Sequence, residues 1–324
     1  MGIRTKLNPM GGTSGKKYKA YILGEGTYQD VASFGFTEDI DPDKCFASKK
    51  SVNNSYFILN GKLFYFYNSQ LTQVGSLNTW TTIETGSSGA FGIADNHLYS
   101  ISGTSATEPY SSLRFKELGT CPNVSNPKPY FITTDSKLYY SSGQVGSLTS
   151  WTDITGYYAK SGSTILSFGV GINNGKAYFA TDTTTSVINS NWSVVKVSGV
   201  LEYKLGRWST CHFIAQDGKL YYCGNSATQT ASPSSMAGQV GSKTSWTDIS
   251  FDYGIEDGKL YSFSGANANL KNDTLNWTSV SSRPDSSSDT YGIADNDLYY
   301  ITSDITKLLD NCLKVYYRLA ICEV

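Results

Sequence analysis

Few residues in this 324-residue chain have the types and spacing for catalysis. Its two histidines are His97 and His212, so a Ser-His-Asp or Cys-His relay would have to recruit one of them. His97 sits in a hairpin position where other copies of the same pattern carry Lys or Asp, and it reads as a solvated turn residue. His212 falls on a strand next to Cys211 and reads as a packed side chain. The six cysteines (Cys45, Cys121, Cys211, Cys223, Cys312, Cys322) are too sparse for a disulfide scaffold and lack the paired spacings of a zinc site. Buried thiols are therefore expected, with Cys211 and Cys223 as the pair that hairpin register sets face to face. The acidic run Glu38 to Asp43 clusters carboxylates without the spacing and glycine of a calcium loop, so it reads as a solvated loop. Gly11 to Lys17 is rich in glycine and lysine, yet it lacks phosphate-loop spacing and a preceding strand. Trp208, beside Arg207, stands outside the repeat described next. It is either a stacking surface for a sugar or partner, or a cap on a neighbouring sheet. No catalytic residue, cofactor or metal is assigned, and the chain is expected not to be an enzyme.

The elements that must position these residues come from a repeat. Seven hairpins centre on Ile58, Ile93, Ile132, Ile172, Ile214, Ile255 and Ile293, spaced 35 to 42 residues apart, the period of a β-propeller blade. In Phe91-Gly92-Ile93-Ala94-Asp95-Asn96-His97-Leu98-Tyr99, the Asp-Asn pair supplies a two-residue turn that pairs Ile93 with Leu98 and Gly92 with Tyr99. Both faces are then apolar, as expected of a sheet held between two others. Gly92, Gly171, Gly254 and Gly292 each face a tyrosine, whose ring would cover the bare backbone. Between hairpins, Gln-Val-Gly-Ser occurs at 73, 144 and 239, each time seven residues before a tryptophan. Trp80, Trp151, Trp192, Trp246 and Trp277 are read as the starts of a short third strand, with a fourth expected in the variable stretch before them. Thr27 to Val31 reads like such a Trp strand with tyrosine in place of tryptophan. The fold expected is all-β: a seven-bladed β-propeller whose ring is closed by N- and C-terminal strands. Residues 1–17, with Arg4, Lys6, Lys16 and Lys17, form a flexible basic N-terminal arm, and 18–324 a single propeller domain.

Trp strand, spacer, glycine-containing hairpin and Gln-Val-Gly resemble the repeat of the regulator-of-chromosome-condensation family of seven-bladed propellers, over residues 56 to 302. Gln73 to Ser76, Tyr99 to Gly103 and Tyr221 to Gly224 carry the match. The resemblance implies the fold; nucleotide exchange is not carried over, since the basic tail that family members use is missing. A second resemblance is to tectonin-like and tachylectin-like lectin propellers, also built on Trp and Tyr repeats.

Composition narrows the partners. The net charge is −1 and only 16% of residues are charged, so the basic stripe needed to neutralise phosphates is missing and nucleic acid is not expected as a partner. No uninterrupted apolar run is long enough for a membrane span or a signal-peptide core, so export by a signal peptide is not expected. A low-charge Ser/Thr/Asn/Gly/Tyr composition and a basic arm suggest a virion component assembled in the host cytoplasm. A bacteriophage tail, fibre or head-decoration protein that binds other virion or assembly proteins fits best. The candidate contacts are Arg4, Lys6, Lys16, Lys17, Arg207 and Trp208, with loops 102–112, 182–191, 227–236 and 265–276. The alternative is a carbohydrate-binding, lectin-like propeller that recognises cell-surface glycan.

Overall fold

The computed structural model describes residues 15–47, 56–85, 90–119, 129–141, 143–161, 164–198, 201–203, 208–226, 236–264, 266–283 and 286–324. They form eight antiparallel sheets arranged as the blades of a propeller. Seven contain one hairpin each, numbered here as blades 1 to 7 in chain order. Blade 8 is composite: Cys312–Tyr316 and Leu319–Glu323 pair with the amino-terminal strands Tyr18–Gly24 and Thr27–Asp30. The sequence therefore undercounts by one. The seven hairpins already build seven blades, and the closing sheet adds an eighth with no turn joining its two middle strands, because these lie at opposite ends of the chain. Ring closure by terminal strands holds; the seven-bladed wheel does not.

Eight apolar clusters show the ring to be continuous, one between each pair of neighbours. Blade 1 meets blade 2 through Ile58, Leu63 and Trp80. Blade 7 meets blade 8 through Ile293, Leu298 and Val315. Blade 8 returns to blade 1 through Ile22, Ile321 and Phe57. Each hairpin's Ile/Leu pair thus faces the inner strand of the following blade, where its burial supplies the adhesion between sheets.

The inner strands of blades 2 to 8 begin at Trp80, Phe115, Trp151, Val194, Trp246, Trp277 and Cys312. The amide of each donates to the turn carbonyl of the preceding hairpin, from Trp80 to Gly61 at 2.9 Å through to Cys312 to Asn296 at 2.6 Å. Every one of these strands then bulges, so that Trp80 faces Ala94 but Thr82 faces Ile93, and likewise around the wheel. In blades 2, 4, 6 and 7 the bulged residue is threonine. Its hydroxyl donates to the carbonyl of the repeat isoleucine at 3.3 to 3.4 Å, which explains the recurrent Trp-Thr pair. The expected fourth strand is present and outermost, as in Gln70–Gln73 and Thr185–Asn189. Thr27–Asp30 is such an outer strand, not the inner one its sequence suggests; Cys312 takes the tryptophan's place in blade 8.

Turn chemistry is as the sequence dictates. Asp95 and Asn96 have φ of 50° and 63°, and Asn60-Gly61, Asn174-Gly175, Asp257-Gly258 and Asp295-Asn296 behave alike. In Gln-Val-Gly-Ser, the valine amide (Val74, Val145, Val240) bonds to the hairpin leucine's carbonyl at 2.8 Å and the glycine turns left-handed, ending the outer strand.

Candidate functional site

One aromatic layer repeats around the wheel, and the place where it fails marks the candidate site. In blades 2, 4, 6 and 7 the indole of the inner strand lies on the glycine of the second strand. A Cβ added at Gly92 or Gly292 would stand 2.7 Å from Trp80 or Trp277, at Gly254 3.0 Å from Trp246, and at Gly171 3.2 Å from Trp151. The tyrosine of the third strand flanks the same indole, with ring centroids 5.1 to 5.6 Å apart. The register of Gly92 with Tyr99, and of its three counterparts, is as expected. At Gly92 and Gly292 the tryptophan comes closest of all, whereas at Gly254 the Phe263 ring and at Gly171 the Asp153 carbonyl and Ile154 stand nearer still.

Blade 5 breaks the layer. Phe213 occupies the glycine position, opposite Tyr221, and the inner strand starts at Val194. An indole and a phenylalanine ring cannot share one layer, so Trp192 is displaced by two residues from the place the sequence assigns it. It stacks on Tyr221 at 4.5 Å with planes 25° apart. Beside this pair a cleft of about 280 Å³ opens at the turn end of the blade, lined by Asn191, Ser193, Ala215, Gln216, Asp217 and Tyr221. Blade 4's turn lies beneath it, since the Val194 amide bonds to the Gly175 carbonyl at 2.7 Å. In the cleft, Ser193 Oγ donates to Gln216 Oε1 at 3.3 Å and Lys219 Nζ donates to Asp217 Oδ2 at 2.6 Å. The lysine holds the Asp217 carboxyl below the usual carboxylate range.

The hub is polar and stitched. Asp248, on the inner strand of blade 6, pairs with Lys196 of blade 5 and accepts from the Val280 amide of blade 7 at 2.9 Å, so one carboxylate joins three blades. Ser282 donates to the Ser250 carbonyl at 2.7 Å, while Lys314 of blade 8 reaches the Pro42 carbonyl at 2.6 Å and Asp43 at 2.9 Å. The acidic run is accordingly paired with lysines: Glu38 with Lys62, Asp41 with Lys44, Asp43 with Lys314. Between blades 5 and 7 a buried polar tract contains His212 and Asp252. Burial lowers the His212 pKa to about 4 and raises that of Asp252 to about 6. Neither ring nitrogen of His212 has a hydrogen-bond partner among the described residues, although the Phe251 backbone beside it offsets part of the burial cost; its ring packs on Phe263 at 4.5 Å.

His97 pairs with Glu108 on the blade 2 surface. Cys211 and Cys223 do face each other, as register predicts, but both are free; the disulfide joins Cys312 to Cys322, a bond that spacing alone did not single out. Trp208 begins the second strand of blade 5, its backbone opposite Tyr203 and Ser226. Lys16 pairs with Glu323 at 2.8 Å, and the Lys17 carbonyl accepts from the Val324 amide at 3.0 Å. These two residues of the expected arm are thus tied to blade 8. Arg4, Lys6, Arg207 and Cys121 lie outside the described residues. Sequence reasoning missed the cleft, and its signal was only partly legible: Phe213 stands where four other copies have glycine, but so do Phe57 and Phe131, and blade 5 differs in opening its inner strand on a valine.

No family model and no curated protein matches the chain. Solved structures similar to it include BBS1N in complex with ARL6DN, at 9% identity over 87% of this chain and 91% of that one, with a TM-score of 0.45. Hsv2 of Kluyveromyces lactis is 8% identical over 81% of this chain and 96% of that one, with a TM-score of 0.45. Protein lmo1340 of Listeria monocytogenes is 9% identical over 86% and 98%, with a TM-score of 0.43. At such distances these likenesses say nothing about role.

Proposed function

We propose that the chain is a non-enzymatic structural and adhesion propeller, a bacteriophage virion component of the tail, fibre or head-decoration type that acts through protein contacts. The observation that carries this reading is the anchoring of the arm's root. Lys16 and Lys17 are pinned to Glu323 and Val324 on the closing blade. A partner that grips residues 1–14 would therefore be held at one fixed place on a rigid wheel, whose hub is cross-linked by Asp248 and Lys314. Ordering a basic segment costs conformational entropy that only partner contacts offset, so the arm's affinity would be expressed in the assembly. A carbohydrate-binding reading draws on one different feature, the cleft in blade 5.

The test is co-expression with the proteins encoded by adjacent genes, followed by size-exclusion chromatography. Co-elution with a structural neighbour is expected, and its loss on deletion of residues 1–14 without change in melting temperature. Co-elution that survives the deletion rejects the docking role of the arm, and neighbours that are all metabolic enzymes reject the virion reading.

A further inference from the structure

The blade 5 cleft has the parts of a ligand site, and its origin lies in the packing. Where glycine becomes Phe213, the inner-strand tryptophan is replaced by the smaller Val194, and Trp192, two residues earlier and buried, stacks on Tyr221. The stack holds Tyr221 from one side while the ring stays half-exposed and lines the cleft. A rigid phenol ring of this kind offers large contact area with little entropy to lose on binding.

The polar groups around it are mixed and nearly neutral in sum. Gln216 spends its carbonyl on Ser193, which leaves its amide hydrogens for a ligand. Both Asp217 oxygens accept from Lys219, Oδ2 from Nζ and Oδ1 from the backbone amide at 3.3 Å, so a ligand hydroxyl would share a lone pair of a carboxylate whose charge is already balanced. Asn191 is exposed at the rim and adds both a donor and an acceptor. An anion would meet the Asp217 carboxylate, and a metal cation would find a single carboxylate already paired. A ligand with one apolar face and an edge of hydroxyls satisfies every group. The volume, about 280 Å³, lies at the lower end for small-molecule sites and suits one sugar ring.

We propose that this cleft is a saccharide-binding site that takes one neutral pyranose residue, its C–H face on Tyr221 and its hydroxyls on Gln216, Asp217 and Asn191. The inference rests on the adhesion reading and specifies what is adhered to, a neutral glycan. The equivalent positions of blades 2, 4, 6 and 7 are filled by their own indoles, so the wheel presents this site once among those five blades.

The experiment uses the full chain on an array of neutral oligosaccharides, then calorimetric titration with the methyl glycosides of glucose, galactose and N-acetylglucosamine. Saturable binding of at least one is expected. Gln216→Ala, on an exposed turn, should weaken it about five- to tenfold, the worth of one hydrogen bond. Tyr221→Phe should retain affinity within about threefold, because the ring and not its hydroxyl forms the platform. No binding at tens of millimolar glycoside overturns the proposal, and so does binding that Gln216→Ala and Asn191→Ala leave unchanged. The second result moves the sugar elsewhere and leaves the adhesion reading standing. Neighbours that are all metabolic enzymes would sink the virion reading while leaving this cleft untouched.

Discussion

Blades 4 and 5 are neighbours built on the same succession of four strands, to which blade 5 adds the short Leu201–Tyr203, yet they solve one packing problem in opposite ways. Blade 4 puts Trp151 over Gly171 and Tyr178, and the layer is filled. Blade 5 puts Phe213 where the glycine would be, keeps Val194 on the inner strand, and stacks the buried Trp192 on Tyr221. Blade 5 thus carries one ring more than blade 4, Phe213 in place of Gly171. What differs is where the void falls, inside the sheet for neither and beside the turn for blade 5. Blades 3 and 8 fill the layer without an indole: Phe115 packs edge-on against Phe131 at 5.0 Å in blade 3, and blade 8 has Cys312 with Ala320. In blades 2, 4, 6 and 7 a volume rule holds, an inner-strand indole going with a second-strand glycine, and the cleft lies where Val194 and Phe213 replace that pair.

The contrast can be broken most sharply in blade 7. Trp277→Val should cost about 3 to 5 kcal/mol in a urea titration, as expected for loss of a buried indole. Trp277→Val combined with Gly292→Phe copies blade 5, and should be at least about 1 kcal/mol more stable than the sum of the two single changes. Strict additivity would refute the volume rule.

A second comparison sets the buried tract of blades 5 to 7 against the solvated turns. The raised Asp252 pKa means the folded state holds its proton more tightly than the unfolded chain, so this group's contribution is present below about pH 4 and lost as pH rises to about 6. The lowered His212 pKa acts with the opposite sign, destabilising as pH falls from about 6.5 to about 4. The two slopes oppose each other across the same window, and stability of the parent should be nearly flat from pH 4 to 6. Asp252→Asn should unmask the histidine: stability then rises from pH 4 to 6.5 by up to ~3 kcal/mol. A flat profile in that variant would contradict the opposition.

Smaller effects sharpen the hub and closing blade. Reduction of Cys312–Cys322, which closes a short loop, should lower stability by about 2 to 3 kcal/mol by denaturant titration with and without reductant. Lys196→Met removes the ion pair of Asp248 and leaves its Val280 hydrogen bond in place; a loss of about 1 to 2 kcal/mol that shrinks in high salt is expected, tempered by the lysine's exposure.

Hairpins, turns and the fourth strand were legible because they depend on residues a few positions apart. Asp95-Asn96 fixes both its own φ angles and the pairing of Ile93 with Leu98. The eighth blade was not, since Tyr18–Gly24 and Leu319–Glu323 share no turn. Trp192 misled because Trp-Ser-Val-Val mimics the strand motif while the register follows Phe213. An alternation also lies in the sequence. Phe-Ile opens the hairpin core at 57, 131 and 213, each followed by Gln-Val-Gly-Ser, whereas Gly-Ile opens it at 92, 171, 254 and 292. Blades 1 to 6 therefore come as three odd-even pairs, a unit twice as long as the single blade. Asp248 and its three-blade stitch were illegible, because only the assembled wheel brings Lys196 and Val280 to it.

The composite blade has a mechanical consequence. Tyr18 pairs with Glu323, so the two terminal strands part at the same end. Tension drawn between the chain's ends would peel their hydrogen bonds one at a time instead of shearing them together. The wheel would then unzip at low force when towed from both termini, yet resist a load borne through one terminus and the rim.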